Sequence, residues 1–358
     1  MGSIRRCGRR EAMILLGHNP QGQPILLPIE ADQKIAVVAV SGAGKSYAAG
    51  RMAEDWLAAG VPVGILDPVG IWFGLRCGAD GNPAGGIQIP VLGGMHADGP
   101  LPEPEAAAYA LARLGQSAVF DLSEEKMESL QLWAARFAES LMGPGNVPES
   151  PAHIILEEAP IFVPQSGSLS KHNKRCRYAF AHLARVGRNR GYGLTVITQR
   201  AAAVDKNVLT QCGSLLLLRI AADIDRKAIT SWIAENAAGI TKEAYDTMLK
   251  ELSEAKPGTG WLWSPQWGGG FTKLTVAPRR TLHPNARQRG QLLAPLSWNP
   301  YSPTPTSAWQ HIQQVGKWAL RGSLVCGGIA LAWYGIKFVL YALGTLFLLS
   351  VIARGKKR

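Results

Sequence analysis

The chain has 358 residues and carries 38 Lys and Arg against 26 Asp and Glu, which gives a formal net charge of +12. This length accommodates one large α/β domain with appended segments, and the positive charge suits a polyanionic partner, either nucleic acid or an anionic membrane surface. The five cysteines are scattered without a CxxC pair, which argues against a disulfide framework or a zinc site and indicates a reducing compartment.

The beginning of the chain, residues 1–11, is predicted to be a basic arm. The arm has no apolar stretch of the secretory type, so no signal peptide is expected. The segment that follows contains GHNPQGQPILLP, and its Asn-Pro and Gly-Gln-Pro turns predict a small hairpin that leads into the core.

The stretch that organises the chain is IAVVAVSGAGKSYAAG, residues 35–50. Its first part predicts a buried strand over 35–40, and residues 47–59 have the apolar spacing of a helix. This context indicates a phosphate-binding loop, because the glycines let several backbone N–H groups face one anion at the start of the helix. The residues predicted to bind a nucleotide are Ser41, Gly42, Ala43, Gly44, Lys45, Ser46 and Tyr47.

Two side chains of this loop carry specific expectations. Lys45 is expected to reach the β- and γ-phosphates, and the Ser46 hydroxyl is expected to hold Mg²⁺. The usual pattern is GxxxxGKS/T, and Ala39 stands at the position of its first glycine. Because the rest of the pattern is intact, the loop predicts a nucleotide site.

Short apolar runs alternate with helical patterns along the rest of the domain. Strands are predicted at 63–66, 87–92, 118–122, 153–156, 194–198, 214–220, 261–263 and 271–276. Helices are predicted at 105–114, 123–142, 171–190, 207–211 and 223–235. This alternation predicts an α/β fold with a doubly wound, mainly parallel sheet, and it places Asp67 at the sheet edge where ligands bind.

Two acids, Glu157 and Glu158, follow the predicted strand at 153–156, downstream of the phosphate loop, which is the Walker B arrangement. In that arrangement one carboxylate holds Mg²⁺ through water and the next polarises the attacking water. Glu157 occupies the metal position, where Asp is usual, and Glu158 occupies the position of the catalytic base. The alternative is a pair of exposed acids at a strand end.

A glutamine and three arginines complete the set of predicted site residues. Gln199 ends the strand at 194–198, where its amide could sense the γ-phosphate or orient water. Arg185, Arg188 and Arg190 lie in the basic segment before that strand, and one of them directed into a neighbouring subunit's site would stabilise transition-state charge. The alternative for each arginine is a solvated helix face or a contact with a phosphate backbone.

The chain contains, in this order, VSGAGKSYAAG, GILDPVG, HIILEEAPIFVP, GRNRGYGLTVITQR and DKNVLTQCGSLLLLRI. Together these motifs resemble those of the HerA/FtsK-like ATPases, which are ring-forming motors of the RecA-like class that move double-stranded DNA. The similarity runs over residues 15–276. It implies a RecA-like P-loop NTPase domain at 12–276, a homohexamer, and ATP with Mg²⁺ as cofactors.

The resemblance also assigns roles to residues. It assigns nucleotide and Mg²⁺ binding to Lys45 and Ser46, the base to Glu158, the sensor to Gln199, and the arginine supplied across the subunit interface to Arg188. The chain departs from the family at the first glycine of the loop, at the Asp of Walker B, and in lacking a recognisable N-terminal β-barrel of the HerA kind. No nuclease constellation is visible, so a cutting activity would come from a partner.

The C-terminal part of the chain has a different composition. Residues 277–317 are rich in Pro and Arg and predict an exposed linker, and residues 318–358 form an apolar tail with a basic end. The two apolar runs of the tail, 323–336 and 338–353, are each shorter than a bilayer span. They predict membrane association, either as a two-pass hairpin that turns at Lys337 or as one long tilted helix. The alternative is a soluble buried hairpin.

These features predict a membrane-tethered hexameric ATPase that moves double-stranded DNA in transfer, segregation or genome packaging. The ATPase domain is expected in the cytoplasm or at a virus-associated membrane, with a possible protein partner that supplies a nuclease or a channel. Two other functions fit the sequence. One is a membrane-bound ATPase that remodels a protein partner, and the other is a nucleotide-binding scaffold that hydrolyses weakly.

Overall fold

The predicted strands assemble into one sheet. The structure is a computed structural model that describes residues 13–30, 32–165, 170–236, 241–264, 270–284 and 295–300, all within a compact unit that ends at Thr304. The strands of the described residues are β1 (Met13–His18), β2 (Pro24–Pro28), β3 (Lys34–Val38), β4 (Val63–Asp67), β5 (Val91–Leu92), β6 (Ala118–Asp121), β7 (Ala152–Leu156), β8 (Tyr192–Thr198), β9 (Ser214–Leu217), β10 (Thr259–Trp263) and β11 (Phe271–Val276). Their order across the sheet is β2-β1-β11-β10-β9-β3-β8-β7-β4-β6-β5.

The larger part of the sheet is parallel. From β9 through β3, β8, β7, β4 and β6 to β5, every neighbouring pair of strands runs in the same direction. Every residue of β4, β7 and β8 is buried. Uninterrupted apolar runs suit such strands, because layers of helices cover a parallel sheet on both faces. The predicted α/β fold with a mainly parallel sheet is confirmed.

The helices cover both faces of this sheet. They are α1 (Lys45–Ala58), α2 (Pro104–Arg113), α3 (Met127–Leu141), α4 (Lys171–Val186), α5 (Lys206–Leu209), α6 (Asp223–Asn236) and α7 (Lys242–Glu254). Alternate residues of β3 divide between two apolar cores. Ile35 and Val37 share a core with α1, whereas Ala36 and Val38 share the other with α2, α3 and α4. This period-2 alternation produces the doubly wound arrangement that the sequence predicted.

One edge of the sheet is antiparallel. β10 lies between β9 and β11, and β1 joins β11 to β2 in the predicted hairpin. The register of β1 and β2 shifts between Leu15 and Gly17. A Cβ atom at Gly17 would lie 2.2 Å from the Thr275 carbonyl oxygen, so only glycine permits this close approach of two strands. The two predicted closing strands, β10 and β11, belong to the same edge.

Two helix boundaries differ from the prediction by more than two residues, and α7 was not predicted. The helix predicted to begin at Ser123 begins at Met127. The reason is a turn in which the backbone N–H of Ser123 donates to the Asp121 carboxylate (3.0 Å). The helix predicted over 171–190 ends at Val186, and a 3₁₀ turn continues from it towards β8.

The segment after β11 differs most from the prediction. The sequence predicted an exposed linker from residue 277 onwards, but residues 277–283, here called the strap, lie against α1. Thr281 and Leu282 are buried, and the buried Glu54 carboxylate of α1 accepts hydrogen bonds from the backbone N–H groups of Arg280 and Thr281. Local composition does not reveal this contact, because the partner lies on a helix far away in the sequence.

Other parts of the prediction lie outside the described residues. These are the basic arm at 1–11 and the apolar tail at 318–358. In the part of the chain that the structure describes, no helix has both the length and the apolar character needed to cross a bilayer. Membrane association of the tail therefore stays a prediction from the sequence.

Candidate nucleotide site

The predicted phosphate loop joins the end of β3 to the start of α1. Gly42 and Gly44 have φ values of 73° and 99°, a left-handed conformation that glycine adopts without strain. Ser41 is exposed on the loop, whereas the Ala43 side chain is buried. The turn delivers the chain directly into a helix of 14 residues, whose first N–H groups lack intrahelical partners and suit an anion.

Ala39, at the first-glycine position, fits its place in the loop. Among the described non-glycine residues only Glu158 has a positive φ, so the backbone of Ala39 does not need glycine. The Ala39 side chain is fully buried, and its N–H donates to the carbonyl of Thr198 (3.1 Å). This departure from the usual pattern therefore leaves the loop geometry intact.

The two predicted metal ligands lie side by side. The Ser46 hydroxyl donates to Glu157 Oε1 (2.8 Å), and the Trp72 indole N–H donates to Glu157 Oε2 (3.0 Å). Both hydrogen bonds are buried, so the carboxylate is held between α1 and the segment after β4. The longer side chain of Glu157, at a position where Asp is usual, reaches Ser46 directly.

This pair suits Mg²⁺ chemically. A hydroxyl and a carboxylate are hard oxygen ligands, and Mg²⁺ in phosphate-binding sites takes one or two protein oxygens together with phosphates and water. Ser46 and Glu157 are the residues that would hold Mg²⁺ beside a nucleotide.

Two other predicted residues, Lys45 and Gln199, meet at Glu158. Lys45 Nζ lies 2.9 Å from Glu158 Oε1, and the Gln199 amide donates to the same oxygen (2.7 Å). Glu158 has a φ of 49° and a ψ of 59°, which is left-handed backbone in a residue with a side chain. Such a conformation costs of order 1–3 kcal/mol and is typical of functional positions, where the surrounding structure imposes it. The structure thus brings the predicted base, lysine and sensor together.

Buried acids give the site an unusual electrostatic character. Burial raises the pKa of Glu157 to about 7; the nearby charges of Asp67 and Glu158 act in the same direction, against the hydrogen bond from Ser46. Burial and the neighbouring Asp121 raise the pKa of Asp67 to about 6. A cation placed beside these groups would favour their ionised forms and lower both pKa values.

Asp67 has a structural task at the edge where it was predicted. Its carboxylate accepts four backbone N–H groups, from Val69, Gly70, Ile71 and Trp72, at 2.7–3.0 Å. These bonds fix the turn that carries the Trp72 indole to Glu157. Sequence reasoning missed Trp72, and the Asp-Pro pair that opens the turn gives no indication of which side chain the turn will present.

Arg188 and Gln199 lie at opposite ends of β8. Arg188 precedes the strand and Gln199 follows it, and a strand of seven residues is about 20 Å long. The Arg188 side chain is 57% exposed, with Nε 3.3 Å from the Asp32 carboxylate. Within one subunit it therefore does not join the phosphate loop. Arg190 donates to a backbone carbonyl of its own domain (2.5 Å), which favours a structural role.

Tyr47, the last predicted nucleotide-binding residue, contacts the strap. Its hydroxyl accepts the backbone N–H of Arg279 (2.8 Å), and its ring meets the ring of His283 edge to face, with centroids 5.9 Å apart. The strap thus borders the site, although the sequence assigned it to the linker. The binding roles of Ser41 to Tyr47 remain predictions.

Comparison with known proteins gives partial matches. No family model matches the chain. The DNA double-strand break repair helicase HerA of Saccharolobus solfataricus is 33% identical over 105 residues, which are 29% of this chain and 17% of that protein. A probable helicase of Methanocaldococcus jannaschii is 32% identical over 80 residues, 22% of this chain and 14% of that protein. The chain thus spans less than a fifth of the length of either relative.

A solved structure is similar over most of the domain. VirB4 of Thermoanaerobacter pseudethanolicus matches 76% of this chain and 98% of its own, with a TM-score of 0.50 and 15% identity, a level at which the likeness concerns the fold alone. The fold and the site define a P-loop NTPase of the RecA-like class. The motif order and the two helicase similarities confirm the narrower resemblance of this chain to the HerA/FtsK-like P-loop ATPases.

Proposed function

We propose that the protein is an ATP-driven motor that moves double-stranded DNA, held at a membrane by its tail at 318–358 with the ATPase domain in the cytoplasm. The observation that carries this proposal is the meeting of Lys45 and Gln199 at Glu158, beside the Ser46–Glu157 pair. These groups would supply phosphate binding, a metal site and a general base, which are the parts of phosphoryl transfer to water that one subunit contributes. The similarity to HerA supports DNA as the polymer that is moved.

Nucleotide binding is expected to release Glu158 from its lysine. The Lys45 ammonium now contacts Glu158 Oε1 at 2.9 Å, and the β- and γ-phosphates compete for the same ammonium. Once Lys45 has moved to the phosphates, Glu158 accepts a proton from the attacking water while Gln199 keeps the carboxylate oriented. Mg²⁺, when bound with ATP, neutralises charge on the phosphates.

The sheet offers a route from hydrolysis to a neighbouring subunit. Gln199 follows one end of β8, and Arg188 precedes the other. In the proposed hexamer, Arg188 would act on the nucleotide of the adjacent subunit, since it lies far from the phosphate loop of its own. A change of contact at Gln199 would then reach that arginine along a buried, rigid strand.

The exposed side of α4 is the proposed contact with DNA. Lys171, Lys174 and Arg185 are exposed on this helix, and the Tyr178 side chain is 71% exposed among them. Basic side chains on an exposed helix bind phosphates without reading bases. A motor that passes over every sequence needs a contact of this kind.

The proposal is tested by the ATP hydrolysis rate of the full-length protein with and without double-stranded DNA. The rate is expected to rise with DNA and the rise to weaken with salt, because phosphate contacts release counterions. Lys45→Ala and Glu158→Gln are expected to abolish hydrolysis. The double variant Lys171→Glu with Lys174→Glu is expected to remove most of the stimulation by DNA.

A matched control makes the same charge change elsewhere. Lys250→Glu with Lys256→Glu alters two exposed lysines outside α4 and is expected to keep the stimulation. Hydrolysis that ignores DNA would contradict the motor and favour the remodelling of a protein partner. A folded protein that binds nucleotide and does not hydrolyse it would favour the scaffold.

A further inference from the structure

The strap is fixed to α1 by contacts around Glu54. The Glu54 carboxylate is fully buried and accepts the backbone N–H groups of Arg280 (3.0 Å) and Thr281 (2.8 Å). The Arg279 side chain packs over Gly50, where a Cβ atom would lie 2.5 Å from the guanidinium. These contacts give the strap a defined position next to the phosphate loop.

Two aromatic rings meet where the strap passes the first turn of α1. The backbone N–H of Arg279, on the strap, donates a hydrogen bond to the Tyr47 hydroxyl (2.8 Å). The His283 imidazole stands at 85° to the Tyr47 ring, with 5.9 Å between centroids. Tyr47 directly follows Ser46, so the ring pair borders the residues proposed to hold the phosphates. His283 is exposed to solvent, whereas Tyr47 is partly exposed and has the Arg279 guanidinium over its ring, 5.9 Å from the ring centroid.

The geometry also sets the protonation of His283. Arg279 Nη1 lies 3.3 Å from His283 Nδ1. Because a guanidinium only donates, Nδ1 must accept, and the single proton of the ring then lies on Nε2. The surrounding protein removes part of the water around the imidazole, and this partial desolvation lowers the pKa of His283 to about 4; the charges of Arg279 and Lys45 act in the same direction. The ring is therefore neutral near pH 7 and offers a π-face and one N–H donor.

We propose that Tyr47 and His283 form the platform that receives the base of the nucleotide. This inference rests on the proposed nucleotide binding at the phosphate loop and specifies which part of the ligand the strap contacts. With the β- and γ-phosphates at Lys45, the ribose and base extend past the α-phosphate, and the ring pair borders the loop there. Aromatic side chains stack with bases of any type, so the platform distinguishes a nucleoside triphosphate from a bare triphosphate.

The test compares binding of ATP and of inorganic tripolyphosphate, which has no base, to the full-length protein by titration calorimetry. His283→Ala is expected to weaken ATP binding by about tenfold, from the low end of the range for loss of one base-stacking contact. The same variant is expected to leave tripolyphosphate binding unchanged. His283→Phe keeps an aromatic face and is expected to bind ATP within about threefold of the wild type.

Arg280→Ala is the matched control on the strap. The Arg280 side chain is 54% exposed and pairs with Asp55 (2.7 Å), away from the two rings, so this variant is expected to bind both ligands normally. Unchanged ATP affinity in His283→Ala would overturn the platform. If Lys45→Ala weakened the binding of both ligands in the same experiment, the phosphate-loop proposal would stand. Equal weakening of ATP and tripolyphosphate in His283→Ala would also overturn the platform. A wild type that bound neither ligand would overturn both proposals.

Discussion

Replacing Glu157 with Gln is expected to stabilise the protein, in the absence of added nucleotide and metal, at alkaline pH. Burial raises the pKa of Glu157 from 4.5 to about 7, so between these values the folded protein keeps a proton that the unfolded chain releases. The wild type therefore loses stability as the pH rises through this window. Gln has nearly the same shape and no charge, and it can still accept from Trp72 and donate to Ser46.

The size of the effect follows from the two pKa values. The pKa of the Glu157 carboxyl is 4.5 in the unfolded chain and about 7 in the folded protein. Its ionisation therefore lowers the free energy of unfolding by about 3 kcal/mol at about pH 8 and by about 1 kcal/mol at about pH 5. Urea unfolding followed by tryptophan fluorescence at both pH values measures the difference. Glu105→Gln, at an exposed ion pair with Arg136, is the control and is expected to change stability by under about 1 kcal/mol. A Glu157→Gln variant that is destabilised at alkaline pH, or equally stabilised at both pH values, would contradict a raised pKa of Glu157 in the folded protein.

Three further predictions concern other contacts. Trp72→Phe removes a donor from a buried carboxylate and is expected to destabilise the protein by about 1–3 kcal/mol in urea unfolding, more at alkaline than at acidic pH, when Glu157 is ionised. Gly50→Ala is expected to cost about 1–3 kcal/mol, because its Cβ would lie 2.5 Å from a buried guanidinium of the strap, whereas Gly145→Ala, with open space around it, is expected to be nearly neutral. Arg188→Ala is expected to keep ATP affinity and lose hydrolysis, because Arg188 is proposed to act on the nucleotide of an adjacent subunit, and wild-type hydrolysis by this variant would exclude that role.

The strands were predictable because each buried strand is a short apolar run that the local sequence shows. Uninterrupted apolar runs such as β4, β7 and β8 have few alternatives to a parallel sheet covered on both faces. The start of α3 was not predictable in the same way. Ser123 resembles an N-cap in sequence, but its N–H donates to Asp121, and this competing turn delays the helix to Met127.

The candidate site likewise contains residues that the sequence predicted and residues that it did not. Lys45, Glu158 and Gln199 were predicted together because the carboxyl ends of parallel strands share one edge of the sheet, where the phosphate loop also lies. Trp72 and the strap were missed because their contacts join positions that are distant in the sequence. Trp72 and Glu157 are 85 residues apart, and Tyr47 and Arg279 are 232 residues apart. Pairings of this kind follow from the packed tertiary structure and have no local pattern.

Movement along DNA tests the proposed motor most directly. The measurement is the displacement of a third strand from a triplex on a long double-stranded DNA by the full-length protein, followed over time. Displacement is expected to require ATP and to be lost in both Lys45→Ala and Glu158→Gln. A protein that hydrolyses ATP on the same DNA and never displaces the third strand would contradict the proposed motor.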